Sequence, residues 1–149
     1  MSKKITCGII LESKEGWLAL LPYGKKDEAG RYDLPKGCCE VGEDPLDCAV
    51  RELKEETGIV LSDDEVASLN DLGQHYYLPE KDIHLFYLHT NNYCNHKFEC
   101  SSLFESNYSW SKGEMVPEMV KMVWTKDFKI FMKCLQDVFE EVLPMISIY

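Results

Sequence analysis

Residues Gly37–Ile59 read GCCEVGEDPLDCAVRELKEETGI, a stretch that gathers Glu43, Glu52, Glu55, Glu56 and Arg51 around one short helix. Asp44 followed by Pro45 predicts the helix start, because the aspartate side chain accepts from free backbone N–H groups and proline at the first helical position gives up no hydrogen bond. Gly58 predicts the stop. At about 3.6 residues per turn, Leu46, Ala49, Val50 and Leu53 share one stripe, while Glu52, Glu55 and Glu56 share its neighbour. Like charges at i, i+4 weaken a helix, so the Glu52/Glu56 pair is a local cost unless a cation lies between them. Hard carboxylate oxygens suit Mg²⁺ or Mn²⁺, and Mg²⁺ fills its remaining positions with water and phosphate oxygens. The alternative is a solvated helix face, which is what an acidic run usually is.

The wider spacing separates the two readings. Gly37 is followed by five residues, Glu43, seven residues, Arg51-Glu52-Leu53, one residue, Glu55-Glu56, one residue and Gly58-Ile59. That pattern resembles the signature of the Nudix (MutT-like) hydrolases at every defined position, and average residue usage puts a chance match at on the order of one in 10⁷. The Leu34-Pro35-Lys36-Gly37 lead-in and the Cys7-Gly8-Ile9-Ile10 start are similar to that family as well.

The resemblance implies an α/β (α+β) Nudix fold, a mixed β-sheet sandwiched between α-helices. It also implies metal-dependent hydrolysis of the pyrophosphate bond in a nucleoside diphosphate linked to another moiety. Small hydrolases of diadenosine polyphosphates or ADP-ribose, compact phage-type members included, look most similar. Such hydrolysis needs a water in line with phosphorus and cations that neutralise the charge on the oxygens around it, so positioning and electrostatics supply most of the rate. The implied cofactor is Mg²⁺, with Mn²⁺ able to substitute. By resemblance, Glu55 and Glu56 are metal ligands together with the backbone carbonyl of Gly37, and Glu56 is the residue least open to replacement. Glu52 joins them at the metal and orients or deprotonates the water, Arg51 positions the acidic cluster, and Glu43 supports the loop. A glutamate beside metal ions stays ionised and usable as a base. The family often adds a late glutamate shortly before a tryptophan. Glu118, six residues before Trp124, fits that place, with Glu114 the next choice. Lys36, Tyr76, Tyr77 and Lys81 fall where relatives contact phosphate, the alternatives being a solvated lysine and ordinary half-buried strand tyrosines. His75, His84, His89 and His96 have no ligand spacing and read as structural or exposed.

With 149 residues, 45% of them hydrophobic and 28% charged, the chain reads as a single domain (1–149) able to bury a core. Neither an apolar run after MSKK nor about 18 uncharged apolar residues in a row occurs, so the expectation is a cytoplasmic protein without membrane contact. A net charge of −10 disfavours long nucleic acid, whose phosphates need a basic footprint, but not a small phosphorylated ligand bridged by metal. The expected partner is therefore a small nucleotide substrate, and the protein a monomer or homodimer. Seven cysteines, Cys7, Cys38, Cys39, Cys48, Cys94, Cys100 and Cys134, show no zinc-site spacing and read as free thiols, with Cys38 and Cys39 beside the site.

Ile5–Leu11 and Trp17–Pro22 predict two strands with a turn between them, and Tyr32–Gly37 a short strand running into the signature loop, where Gly37 and Gly42 let backbone approach a metal or phosphate. An acidic turn follows Leu61. Leu72–Leu78 and Ile83–His89 predict a strand pair, and Met119–Trp124 a further strand. Phe128, Phe131, Leu135, Val138, Phe139 and Val142 fall at helical spacing after Thr125 or Asp127 as cap. Asn91–Met115 is long for a connection and rich in aromatics, which leaves core packing or dimer contact, a wall or lid that stacks on a base, and disorder as its readings. Alternative functions are pyrophosphohydrolysis of nucleoside triphosphates, removal of pyrophosphate from an RNA 5′ end, a nucleotide-sensing module without turnover, and an acidic docking domain. Gaps in the glutamate set would mark the sensor, and the docking domain leaves Gly37 and Glu43 unexplained.

Overall fold

The run around Ile9 becomes the strand to which most of the sheet is attached. In the computed structural model, which describes residues 3–147, β1 (Lys4–Ser13) pairs antiparallel with β2 (Gly16–Pro22) and β3 (Lys36–Cys38) and parallel with β5 (Lys81–His89). Met1, Ser2, Ile148 and Tyr149, the extremes of the leading and closing stretches read above, lie outside the described residues. β4 (Asn70–Leu78) returns on β5 as a hairpin, and β8 (Met119–Thr125) pairs with β2, giving the order β4-β5-β1-β2-β8. β2 and β3 share one edge of β1: Glu12 and Ser13 pair with Trp17 and Gly16, whereas Thr6–Gly8 pair with Lys36–Cys38.

Successive side chains point to opposite faces of a strand. Cys7, Ile9, Leu11, Leu18, Phe86 and Leu88 therefore pack with α1 (Pro45–Thr57) on one face. Ile10, Ala19, Leu21, Ile83, Leu85 and Tyr87 form the other core with α3 (Lys133–Ile146). This is the mixed sheet between helices that the resemblance implies.

Three local expectations need correction. The acidic turn after Leu61 is a short helix, α2 (Asp63–Ala67), because Ser62 Oγ accepts from the Glu65 N–H at 3.2 Å while the Glu65 carboxylate accepts from the Ser62 N–H at 2.9 Å. Neither Thr125 nor Asp127 caps α3. Asp127 instead caps a 3₁₀ turn, Phe128–Ile130, and the chain then pairs with Tyr32 through Phe131 before α3 begins at Lys133. The strand expected over Tyr32–Gly37 is split: Tyr32 and Asp33 make isolated bridges to Phe131 and Leu20, with Tyr32 N–H on the Ile130 carbonyl and Met132 N–H on the Tyr32 carbonyl, and β3 starts only at Lys36 and runs on to Cys38.

Asn91–Met115 is ordered and carries β6 (Leu103–Glu105), paired with β7 (Met115–Pro117). Its first part closes the end of α1. The Glu55 carbonyl accepts from the N–H groups of Ser101 and Ser102, and the Thr57 carbonyl from the Glu99 N–H and His96 Nε2. A helix end leaves its last carbonyls without partners inside the helix, and here this segment supplies them. Among the described residues no helix is long and apolar enough to cross a membrane.

Candidate active site

α1 forms as its caps predict. The Asp44 carboxylate accepts from the Leu46 N–H at 3.2 Å, and Gly58 adopts φ 82°, a left-handed conformation that a side chain would strain. Its acidic stripe does not face solvent. Glu52 is 7% exposed and Glu56 1%, while Glu55 is half-buried.

One guanidinium organises these carboxylates. Arg51 grips Glu43 with two bonds (Nε–Oε2 2.8 Å, Nη2–Oε1 2.9 Å) and donates from Nη1 to Glu52 at 3.0 Å and to Glu55 at 3.1 Å. Nη2 also reaches the Cys38 carbonyl, which ties the signature loop to the helix. The bidentate grip holds Glu43 down to about 2. Burial pushes Glu52 up, and the neighbouring Glu55 and Glu118 charges add to that against Arg51. Burial pushes Glu56 up to about 10 despite the nearby Lys36 ammonium.

Gly37 lies in β3 directly over Glu52. A Cβ at this position would fall 2.1 Å from the Glu52 carboxyl carbon, so only glycine lets the strand pass so close. Next to it, the Lys36 N–H donates to Glu56 Oε1 at 3.1 Å, while its ammonium pairs with Asp33 at 3.0 Å and lies 5.6 Å from the centre of the Tyr77 ring. Burial alone would lower the Lys36 ammonium, but Asp33 and Glu56 outweigh it and hold it above its ordinary value.

A cavity of about 710 Å³ collects these groups. Of the residues singled out by sequence, Lys36, Gly37, Glu52, Glu55, Glu56, Tyr77, Lys81 and Glu118 line it. Glu118 is fixed by its own backbone, its N–H on the Ser102 carbonyl and its carbonyl on the Tyr23 N–H, both at 2.8 Å. Glu43 and Arg51 lie behind the lining. Glu114 is not part of it; its backbone holds the Ser106 N–H. Tyr76 is not either. Consecutive strand residues face opposite ways, so with Tyr77 on the cavity Tyr76 points outward, 60% exposed under the Lys3 ammonium. None of the four histidines lines the cavity. His75 contacts Glu141 and the Leu72 carbonyl, His84 contacts Asp71, and His96 holds the Thr57 carbonyl, while His89 is exposed.

Sequence reasoning missed part of the wall. Tyr23, Phe104 and Tyr108 line the cavity, with Tyr23 edge-on to Phe104 (5.9 Å) and to Tyr108 (5.7 Å). Tyr108 lies against Gly24 and stacks on Trp110 at 4.7 Å, and Trp110 Nε1 donates to the Tyr23 hydroxyl. Asp33 and Lys25 also line it. Asp33 had a local signal, three residues before the Lys-Gly of the lead-in. The aromatic wall had only the composition of Asn91–Met115.

Four glutamates, Glu52, Glu55, Glu56 and Glu118, line one opening beside Gly37, and carboxylate oxygens are the ligand type that a hard divalent cation takes. The comparisons with known proteins agree in class. A family model described as the NUDIX domain matches residues 2–115, and the chain belongs to the Nudix family. It is a hydrolase acting on phosphorus anhydrides, in a family that is generally divalent-metal dependent and acts on small nucleotides. It is 34% identical over 124 residues to an uncharacterised 17.7 kDa protein of Enterobacteria phage T4 from the e-segB intergenic region, 78% of each chain being covered. In fold it is similar to a C. elegans Ap4A hydrolase, with TM-score 0.65 and 17% identity over 97% of this chain and 99% of that one. An ADP-ribose pyrophosphatase from Streptococcus suis has TM-score 0.64 and 14% identity over 98% and 91%.

Proposed function

We propose that this hydrolase cleaves the diphosphate bridge of a nucleoside diphosphate carrying a second moiety, of the diadenosine polyphosphate or ADP-ribose type. The observation that carries this reading is the joint lining of one cavity: Glu52, Glu55, Glu56 and Glu118 with Lys25, Lys36 and Lys81, and with the aromatic rings of Tyr23, Phe104 and Tyr108. Sites for small molecules occupy about 300–1,000 Å³, and base–aromatic stacking tolerates any base. The cavity thus offers a place for charge and a place for a ring.

Glu55, Glu56 and Glu118, with the Gly37 carbonyl, hold the divalent ion, Mg²⁺ in preference and Mn²⁺ in its place. When bound, the metal neutralises charge on the phosphate oxygens and lowers the cost of deprotonating water. Glu52, held at Oε1 by Arg51, keeps an acceptor oxygen for the attacking water and takes its proton. Arg51 is a positioning residue, since it fixes Glu52 and Glu55 without lining the cavity. Lys36 and Lys81 face the substrate phosphates, and the Tyr77 ring backs the Lys36 ammonium. Asp33 holds that ammonium in place.

The test is a substrate panel of ADP-ribose, diadenosine tri- and tetraphosphate, FAD, NADH, nucleoside triphosphates and a 5′-triphosphate RNA. Each is incubated with Mg²⁺ or EDTA, and the products are chromatographed. The expected result is metal-dependent cleavage at highest kcat/KM for a two-moiety substrate, lost in Glu56→Gln. A higher kcat/KM for nucleoside triphosphates or RNA overturns the substrate class, and retention without cleavage points to a sensor.

A further inference from the structure

Three cysteines that look unrelated along the chain meet behind the active site. Cys7 lies in β1, Cys39 one residue past β3 and Cys48 in α1, and their sulfurs all lie within 4.8 Å of one another. Register brings them together. Cys7 pairs with Gly37 and points to the α1 side of the sheet, Cys39 follows two residues later on the same side, and Cys48 sits one turn before Glu52. Cys7 and Cys48 are fully buried and Cys39 is partly exposed, so the cluster has one open side. None of the three lines the cavity, where Cys38 appears instead.

We propose that Cys7, Cys39 and Cys48 form a binding site for a thiophilic closed-shell cation, Zn²⁺ or Cu⁺, distinct from the carboxylate site. Soft sulfur donors select such ions over Mg²⁺ or Ca²⁺. A zinc–sulfur bond of about 2.3 Å places ligating sulfurs roughly 3.8–4 Å apart. Cys7 and Cys39 now touch at 2.7 Å, so Cys39 turns outward by about 1 Å on binding, on the side where it is exposed. That side also leaves room for a water as fourth ligand to Zn²⁺. The three thiols give up three protons and the ion is held as a tris-thiolate. The Arg51 guanidinium, 3.9 Å from Cys48 Sγ, offsets part of the negative charge. Cys48 also donates to the Gly37 carbonyl at 3.6 Å, so the ion would sit against the same loop that closes over Glu52.

The probe is Cd²⁺, titrated into fully reduced protein while the thiolate-to-cadmium absorption is followed. A band saturating at one ion per chain is expected, displaced by Zn²⁺ or Cu⁺. It should persist in Glu56→Gln and in the combined Cys38→Ser, Cys94→Ser, Cys100→Ser, Cys134→Ser variant, and vanish in Cys39→Ser. Iodoacetamide footprinting of the unmutated chain gives a second readout should the fourfold variant not fold: Cd²⁺ should protect Cys39 and leave its exposed neighbour Cys38 reactive. No saturating band, a band undiminished in Cys39→Ser, or equal labelling of Cys39 with and without Cd²⁺ overturns the proposal.

Discussion

α1 and α3 lie on opposite faces of one sheet, and they bury different chemistry. α3 hides only apolar side chains, Leu135, Val138, Phe139, Val142 and Ile146, with Phe139 stacked on Phe131 at 4.9 Å and edge-on to Trp17 at 5.4 Å. α1 hides Ala49 and Leu53 but also Glu52 and Glu56, and its arginine is committed to three glutamates. Burying a charge is unfavourable unless it is paired or bound to metal, so the α1 face carries a standing cost that the α3 face does not. The stability of the sheet therefore rests more on one face and the chemistry on the other.

A crossed pair of substitutions would break that division if it is wrong. Phe139→Ala removes a fully buried ring and should cost about 3–5 kcal/mol of stability in urea unfolding, with metal-dependent turnover per folded molecule unchanged. Glu56→Gln should do the reverse. Loss of several kcal/mol of metal-borne charge stabilisation, about 4, lowers kcat/KM about 10³-fold, while metal-free stability at neutral pH rises, because the buried glutamate no longer has to be kept protonated in the folded chain. Turnover that falls in Phe139→Ala as far as its folded fraction cannot explain would show that the faces are coupled.

The aromatic wall sharpens the picture next. Tyr108→Ala should weaken substrate binding by about 1–3 kcal/mol, a KM raised roughly 5- to 150-fold, with kcat little changed. A fall in kcat at constant KM would mean that the wall positions the reacting atoms instead.

A pH series isolates the charge cost of α1. With Glu56 raised to about 10 in the folded, metal-free chain and near 4.5 when unfolded, the folded state holds that proton more tightly. The contribution is whole below about 4.5 and is lost as pH rises toward 10. In EDTA, the Tm of the unmutated chain should fall relative to Glu56→Gln over that interval, and Mg²⁺ should reduce the fall. The smallest effect is at Glu43, held down to about 2 by Arg51. Its support is present above about 4.5 and disappears as pH falls through 2, and because the pair is partly exposed, Glu43→Gln should cost at most about 1 kcal/mol at pH 7. Thermal melts of both chains at pH 7 and pH 2 should converge at the acid end.

What the sequence made legible was whatever is local. The caps and carboxylates of α1 lie within a few residues of one another, so their spacing sufficed. The same logic was available at Ser62 and Glu65, a capping box that an acidic composition disguised as a turn. Tyr76 and Tyr77 show where locality ends: alternation says that they face opposite ways but not which one faces the cavity. The start of α3 was misplaced because Phe131 first pairs with Tyr32, a contact across about a hundred residues. The thiol cluster and the Tyr23–Phe104–Tyr108 wall likewise exist only through strand register, which no spacing along the chain reveals.

The hydrogen bonds from His96, Glu99, Ser101 and Ser102 to the end of α1 make the segment that carries the aromatic wall and the helix that carries the glutamates one mechanical unit. Under the function proposed above, specificity is consequently not a detachable module. A wall transplanted from another family member without its own Glu99–Ser102 equivalent would fray the turn that holds Glu55 and Glu56, and an apparent change of substrate would arrive together with a loss of metal.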